Sequence, residues 1–227
     1  MNRIRIPNLA RFEAEVQAYE AQPQEYGKIV FYGDSGFTRW SEKYGNRPLE
    51  QDLPGKDGKP AVLNRGIGGS TSDELLYYYP RVVRPCKPRA LVYMTYANDF
   101  YHGYSAEDAL DLQTRIFEYA RRDMPGIRIY ACDKRPIVKS LGELVPWGAY
   151  IRRTLEFNEL LADYCAKHED VTLVRHIDSP LFFHDPQDAG SYEKVRQDIF
   201  IEDQVHFNQK GYDLYAEFFR GILHDIL

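Results

Sequence analysis

The chain has 227 residues, 44% of them hydrophobic and 28% charged, with a formal net charge of −5. That length suits one large domain with a sizeable core, and the mixture excludes a disordered chain and suggests no membrane span. An acidic balance argues against nucleic acid as the partner, because proteins that grip phosphate backbones carry a basic excess or stripe. The basic cluster Arg81, Arg84, Lys87 and Arg89 is interleaved with prolines and reads as a solvated loop face. Cys86, Cys132 and Cys165 are odd in number, widely spaced and without metal-ligand spacing, so they are expected as free thiols of a reducing compartment. Residues 1–7 carry early charge, and Glu13, Glu15 and Glu20 break up the stretch behind them, so no apolar signal core is visible; a cytoplasmic location is expected.

Residues 8–21 place Leu9, Phe12, Val16 and Tyr19 at spacings of three and four behind a possible Asn8 cap, which predicts a leading helix on the outside of the fold. Lys28–Tyr32 reads as the first buried strand and ends at Gly33. A Gly- and Pro-rich loop leads to a second strand at Ala61–Arg65, closed by Gly66-Ile-Gly-Gly69. Ser70–Asp73 opens a helix that the prolines at 85 and 88 stop. Ala90–Tyr96 is a continuous apolar run, the mark of a central parallel strand. A helix comes next over 105–123, then a strand at Ile127–Cys132, a long helix from Trp147 to His168, a strand at Val171–Val174, and a last helix from Asn208. Strand and helix alternate throughout, so the expected fold class is α/β, a three-layer α/β/α domain over 1–227 with a five-stranded parallel sheet. Residues 178–205 form a long, poorly periodic stretch, expected to be an active-site loop.

Ser35 falls where the first strand meets a polar corner, Gly33-Asp34-Ser35-Gly36, at the sheet edge where open α/β proteins bind ligands. It is the candidate nucleophile, although Asp-Ser after a strand also suits a turn or cap. A serine needs a base. Of the six histidines, His206 stands out at the end of the long loop just before a helix, with an acid three residues upstream, Asp203; this spacing lets the carboxylate hold the imidazole while its other nitrogen faces a nucleophile. The Gly68-Gly69 pair can bring backbone N–H groups close to an oxyanion, and Asn98 offers an amide at the same rim. The spacing of the glycines does not fit dinucleotide binding.

Taken together, Gly33-Asp34-Ser35, Gly68-Gly69, Asn98 and Asp203-x-x-His206 resemble the four blocks of the SGNH (GDSL-type) hydrolases, and the resemblance runs from about Lys28 to Tyr212. It implies a flavodoxin-like fold, no cofactor or metal, and ester or thioester hydrolysis through an acyl-enzyme. Carried over residue by residue, Ser35 is the nucleophile and His206 the base oriented by Asp203. The oxyanion hole is Ser35 N–H, Gly69 N–H and Asn98. Two departures stand out: Gly36-Phe37 comes after the serine where the family often has Leu or Ile, and Tyr96 replaces the glycine that usually precedes the Asn-Asp pair. Tyr96, Asp99 and Gly36 are the expected substrate contacts. The tyrosines at 77–79, 96, 101 and 104 suggest a rim suited to stacking on a sugar, and hence a small-molecule ester substrate, an acetyl or other short acyl group on a carbohydrate. Two alternatives remain: a lysophospholipase or acyl-thioesterase, for which Leu181, Phe182 and Phe183 would line an acyl channel, and a silent ligand-binding module of the same fold. Neither a nucleic-acid nor a membrane partner is expected.

Overall fold

The structure is a computed structural model that describes residues 8–95, 97–138 and 146–227. After a single 3-10 turn at Leu9–Phe12, capped by the Asn8 side chain, the chain forms α1 (Glu13–Glu20), β1 (Ile29–Gly33), α2 (Ser35–Thr38), α3 (Leu49–Asp52) and β2 (Val62–Gly66). It continues through α4 (Ser72–Val82), β3 (Ala90–Met94), α5 (Asn98–Tyr101), α6 (Ala106–Asp123) and β4 (Arg128–Cys132). The last elements are α7 (Trp147–Cys165), β5 (Val171–Val174) and α8 (Gln209–Ile222). All strand pairs are parallel, in the order β2-β1-β3-β4-β5. This is the flavodoxin-like order, in which the chain reverses direction across the sheet between β1 and β3. Right-handed crossovers set α4, α6 and α7 side by side on one face and leave α3 and α8, which pack together, for the other.

The strands at the switch point explain their own position. Every residue of β1 and of β3 is buried, as the unbroken apolar runs require of strands covered on both faces. The helices are fixed by their ends: Ser105 and Asp108 exchange hydrogen bonds of 3.1 Å at the start of α6, and the Asn208 side chain accepts from Gly211 N–H at 3.0 Å at the start of α8. α8 then lays Tyr212 and Tyr215 against the buried Trp40, with ring centroids 5.2 and 5.3 Å apart.

Several expectations shift. β3 ends at Met94 and α7 at Cys165, both earlier than the apolar runs suggest, and α4 runs through Pro80 but ends at Val82, ahead of the expected proline stops. The basic cluster is not a free solvated face: Arg81 bonds Glu13 and Glu20, Arg84 bonds Asp123, and Arg89 bonds the Gly27 and Ile226 carbonyls. Residues 178–205 contain four one-turn 3-10 helices and bury Phe182, Ile199 and Phe200, so this stretch has a packed interior of its own.

Candidate active site

The corner after β1 is built by crowding. A Cβ at Gly33 would run into the Met94 carbonyl oxygen of the neighbouring strand, so only glycine lets β1 lie against β3 there. Asp34 is fully buried and caps α2 by accepting Gly36 N–H at 3.1 Å. Ser35, the first residue of α2, is left half-buried at the C-terminal edge of the sheet. Gly36 departs from its expected place among the substrate contacts. It is buried, its N–H is committed to Asp34, and its carbonyl accepts the Tyr212 hydroxyl at 3.1 Å, which leaves nothing to offer a ligand.

From the loop before α8, His206 reaches across to Ser35, with Nε2 2.9 Å from Oγ. Its Nδ1 lies 2.6 Å from Asp203 Oδ2, and Asp203 Oδ1 also accepts the backbone N–H groups of Val205 and His206, each at 2.9 Å. With Nδ1–H donated to the carboxylate, Nε2 is free to accept the serine proton. Burial lowers the His206 pKa below its ordinary 6.5; the Asp203 bond opposes this, and the Arg39 and Arg135 charges reinforce it. For Asp203, burial is the largest influence and pushes upward, but the His206 and Val205 hydrogen bonds outweigh it and hold the carboxyl below 3.8. The resting pair is therefore a neutral imidazole beside an ionised carboxylate near neutral pH.

The glycine turn and Asn98 meet at the Ser70 carbonyl, beside Asp34. Gly69 adopts φ +78°, a left-handed conformation natural to glycine, and is half-exposed. The Asn98 amide nitrogen donates to the Ser70 carbonyl at 2.9 Å and lies 3.4 Å from Asp34 Oδ2. Asp99 is a correction. It is fully buried and holds the start of α4, accepting Ser72 N–H and Ser72 Oγ at 2.7 Å each, with Lys134 Nζ 3.9 Å away, so it has no surface for substrate. Tyr96 lies outside the described residues. The tyrosine rim is also thinner than expected: Tyr78 and Tyr79 are core residues, and Tyr101 stacks on Tyr150 at 6.4 Å.

Three groups near the site carry no mark in the sequence. Lys134, fully buried, donates to Thr95 O and Oγ1 at 3.0 Å, just ahead of the Asn98 turn. Arg135, also buried, donates to the Val205 carbonyl and lies 3.7 Å over the Phe207 ring, which brackets His206. His176, whose neighbours in sequence suggest only packing, lies between Asp133 at 2.9 Å and the Tyr215 hydroxyl at 3.0 Å. The one signal common to this region is position, since Asp133, Lys134 and Arg135 come directly after a buried strand, where charge is costly unless paired.

A serine, a histidine and an acid linked in series at the switch point of a flavodoxin-like sheet define a class, the SGNH hydrolases. Residues 31–214 match the GDSL-like lipase/acylhydrolase family, and the chain belongs to that family. No curated protein sequence matches it. Among solved structures it is similar to a proposed acylhydrolase from Bacteroides fragilis NCTC 9343, at 18% identity, a TM-score of 0.70, and coverage of 97% of this chain and 99% of that one. A GDSL-like lipase from Bacteroides thetaiotaomicron VPI-5482 gives 19%, 0.69, 97% and 98%. An acetyl xylan esterase, AlAXEase, gives 18%, 0.63, 86% and 99%. At such identities the likeness is one of fold. Among the described residues, no helix is long and apolar enough to cross a membrane.

Proposed function

We propose that this hydrolase cleaves a carboxylic ester through an acyl-enzyme on Ser35, and that its substrate is a small molecule or carbohydrate bearing a short acyl group such as acetyl. The observation that carries the reading is the unbroken chain from Asp203 through His206 to Ser35 Oγ, with contacts of 2.6 and 2.9 Å. His206 Nε2 takes the serine proton as Oγ attacks the carbonyl carbon. The resulting oxyanion accepts hydrogen bonds from Ser35 N–H, Gly69 N–H and the Asn98 amide. Collapse breaks the bond to the leaving alcohol, which takes the proton from His206. Water then enters, gives a proton to His206, attacks the acyl carbon and releases the acid, and the proton returns to Ser35.

Support for a short acyl group comes from two sides. One of the similar structures is an acetyl xylan esterase. In addition, the Phe182 and Phe183 pair, which an acyl channel would need, is buried at 0% and 3% exposure, with Phe182 stacked on Phe207 at 5.9 Å. The test is hydrolysis of p-nitrophenyl acetate, butyrate and octanoate by the wild type and by Ser35→Ala. Fastest turnover of acetate with an inactive variant supports the reading. Preference for octanoate moves the substrate to longer acyl chains, and equal inactivity of wild type and variant on all three, and on acetylated xylan, favours a binding module.

A further inference from the structure

The leading segment of the chain reaches the oxyanion side of the site. Arg11 lies in the 3-10 turn before α1, 58 residues from Gly69 and upstream of the stretch that matches the family. Its guanidinium forks: Nε donates to Glu74 Oε1 at 2.7 Å, and Nη2 donates both to Glu74 Oε2 at 2.6 Å and to the Gly69 carbonyl at 2.9 Å. Glu74 is fully buried and is itself fixed, since Oε2 accepts Thr71 N–H at 2.9 Å and Thr71 Oγ1 at 2.8 Å. The next carbonyl along, that of Ser70, is held by Asn98 at 2.9 Å. Two successive carbonyls of the glycine turn are thus tied in place, one by Arg11 and one by Asn98.

We propose that Arg11 is a positioning residue for the oxyanion hole: clamped by Glu74, it fixes the Gly69 carbonyl, and so the orientation of the turn that presents Gly69 N–H to the reacting ester. The proposal rests on the reading of Gly69 as an oxyanion donor. The physical need is clear at this residue. A glycine at φ +78° has no side chain to hold it, so the peptide plane that follows it rests on its hydrogen bonds: Ser70 N–H donates to the Ile67 carbonyl at 3.2 Å within the turn, and Arg11 holds the Gly69 carbonyl from outside it. A donor contributes to catalysis only when it is aimed beforehand at the position the oxyanion will occupy. A lysine would not replace the fork, because a single ammonium cannot present the same planar pair of donors to a carboxylate while reaching a carbonyl beside it. Arg11 touches no reacting atom; it acts through Gly69.

Arg11→Met alone leaves a buried carboxylate without its cation, which risks the fold. The decisive variant is therefore Arg11→Met/Glu74→Gln, in which both charges go and the glutamine oxygen still accepts at Thr71. Steady-state hydrolysis of p-nitrophenyl acetate is measured for the full chain, with the thermal midpoint recorded alongside. The expected result is a folded double variant whose kcat falls by about 10- to 100-fold, less than the loss of a whole donor, while KM moves by less than about twofold. Arg11→Lys is expected to recover only a part of kcat. Wild-type kcat in the folded double variant overturns the proposal, as does a loss carried mainly by KM. Ser35→Ala, assayed in parallel, separates the two levels: activity retained there overturns the serine reading itself, whereas an inactive Ser35→Ala with an unimpaired double variant overturns only the role of Arg11.

Discussion

Among the described residues two series of carboxylate, imidazole and hydroxyl are alike in design, and the proposed chemistry belongs to one of them. In both, the histidine backbone N–H and its Nδ1 bond one aspartate: Asp203 with His206, and Asp133 with His176. In both, Nε2 ends about one hydrogen bond from a hydroxyl, 2.9 Å from Ser35 and 3.0 Å from Tyr215. They differ in access. Side chains of His176 and Asp133 are 0% and 1% exposed, beneath α8, whereas those of His206 and Asp203 are 9% and 31% exposed at the open edge of the sheet. The hydroxyls differ as well, because Tyr215 is locked in an aromatic cluster and Ser35 stands on a corner with N–H groups nearby. The same three groups thus make a core strut in one place and a candidate nucleophile in the other. What separates them is exposure at the edge of the sheet.

Breaking the exposed series is expected to give the largest effects. Ser35→Ala should lower kcat for p-nitrophenyl acetate by at least about 10⁴-fold with an unchanged thermal midpoint, and Asp203→Asn by about 10⁴-fold, because the imidazole then loses the partner that fixes its tautomer. Asn98→Ala comes next. Loss of one oxyanion donor corresponds to about 10² to 10³ in kcat, with KM changing far less. A variant that alters KM alone would place Asn98 in ground-state binding and remove it from the oxyanion hole.

Breaking the buried series should do the converse. Tyr215→Phe removes the hydroxyl facing His176 Nε2 and leaves a buried polar nitrogen unsatisfied, a cost of about 1–3 kcal/mol in stability. Urea denaturation should therefore show a lower midpoint, with kcat within about threefold of the wild type. A large loss of kcat in a folded Tyr215→Phe would mean that the two series are coupled through α8.

Much of this was legible because the signals were local. Apolar runs of strand length specified the sheet, and Asp203 and His206, three apart before a capped helix, specified their own hydrogen bond. The failures came from contacts distant in sequence. Asp99 sits beside Asn98 and reads as an exposed rim acid, yet Ser72 and Lys134, from two other elements, draw it into the core. Tyr78 and Tyr79 look like a stacking surface until α4 turns their rings inward, since a tyrosine packs as readily as it binds. The Phe182 and Phe183 pair looked like an acyl lining, and it is spent on packing the loop that carries it. Arg11 belongs to a helix that periodicity places on the outside; no pattern in its own segment points to a glycine 58 residues away.

The smallest effect expected is in pH, and it sharpens the comparison most finely. Burial lowers the His206 pKa below 6.5; the Asp203 bond works against this, and the Arg39 and Arg135 charges add to it. An imidazolium cannot take the serine proton, so kcat/KM should fall as pH drops through that lowered value, with the midpoint of the acid limb below 6.5. Folding has the same sign. The unfolded chain protonates this imidazole more readily than the folded one, so stability declines as pH falls from 6.5 toward the folded value. Asp203, held below 3.8, adds stability above that pH and surrenders it as pH falls through its folded value. Arg39→Met removes one of the charges that disfavour the imidazolium, and the acid limb should move up toward 6.5, whereas Tyr215→Phe should leave the limb where it was. A limb that moved with Tyr215 and not with Arg39 would take the titrating base, and the proton transfer proposed at Ser35, away from His206.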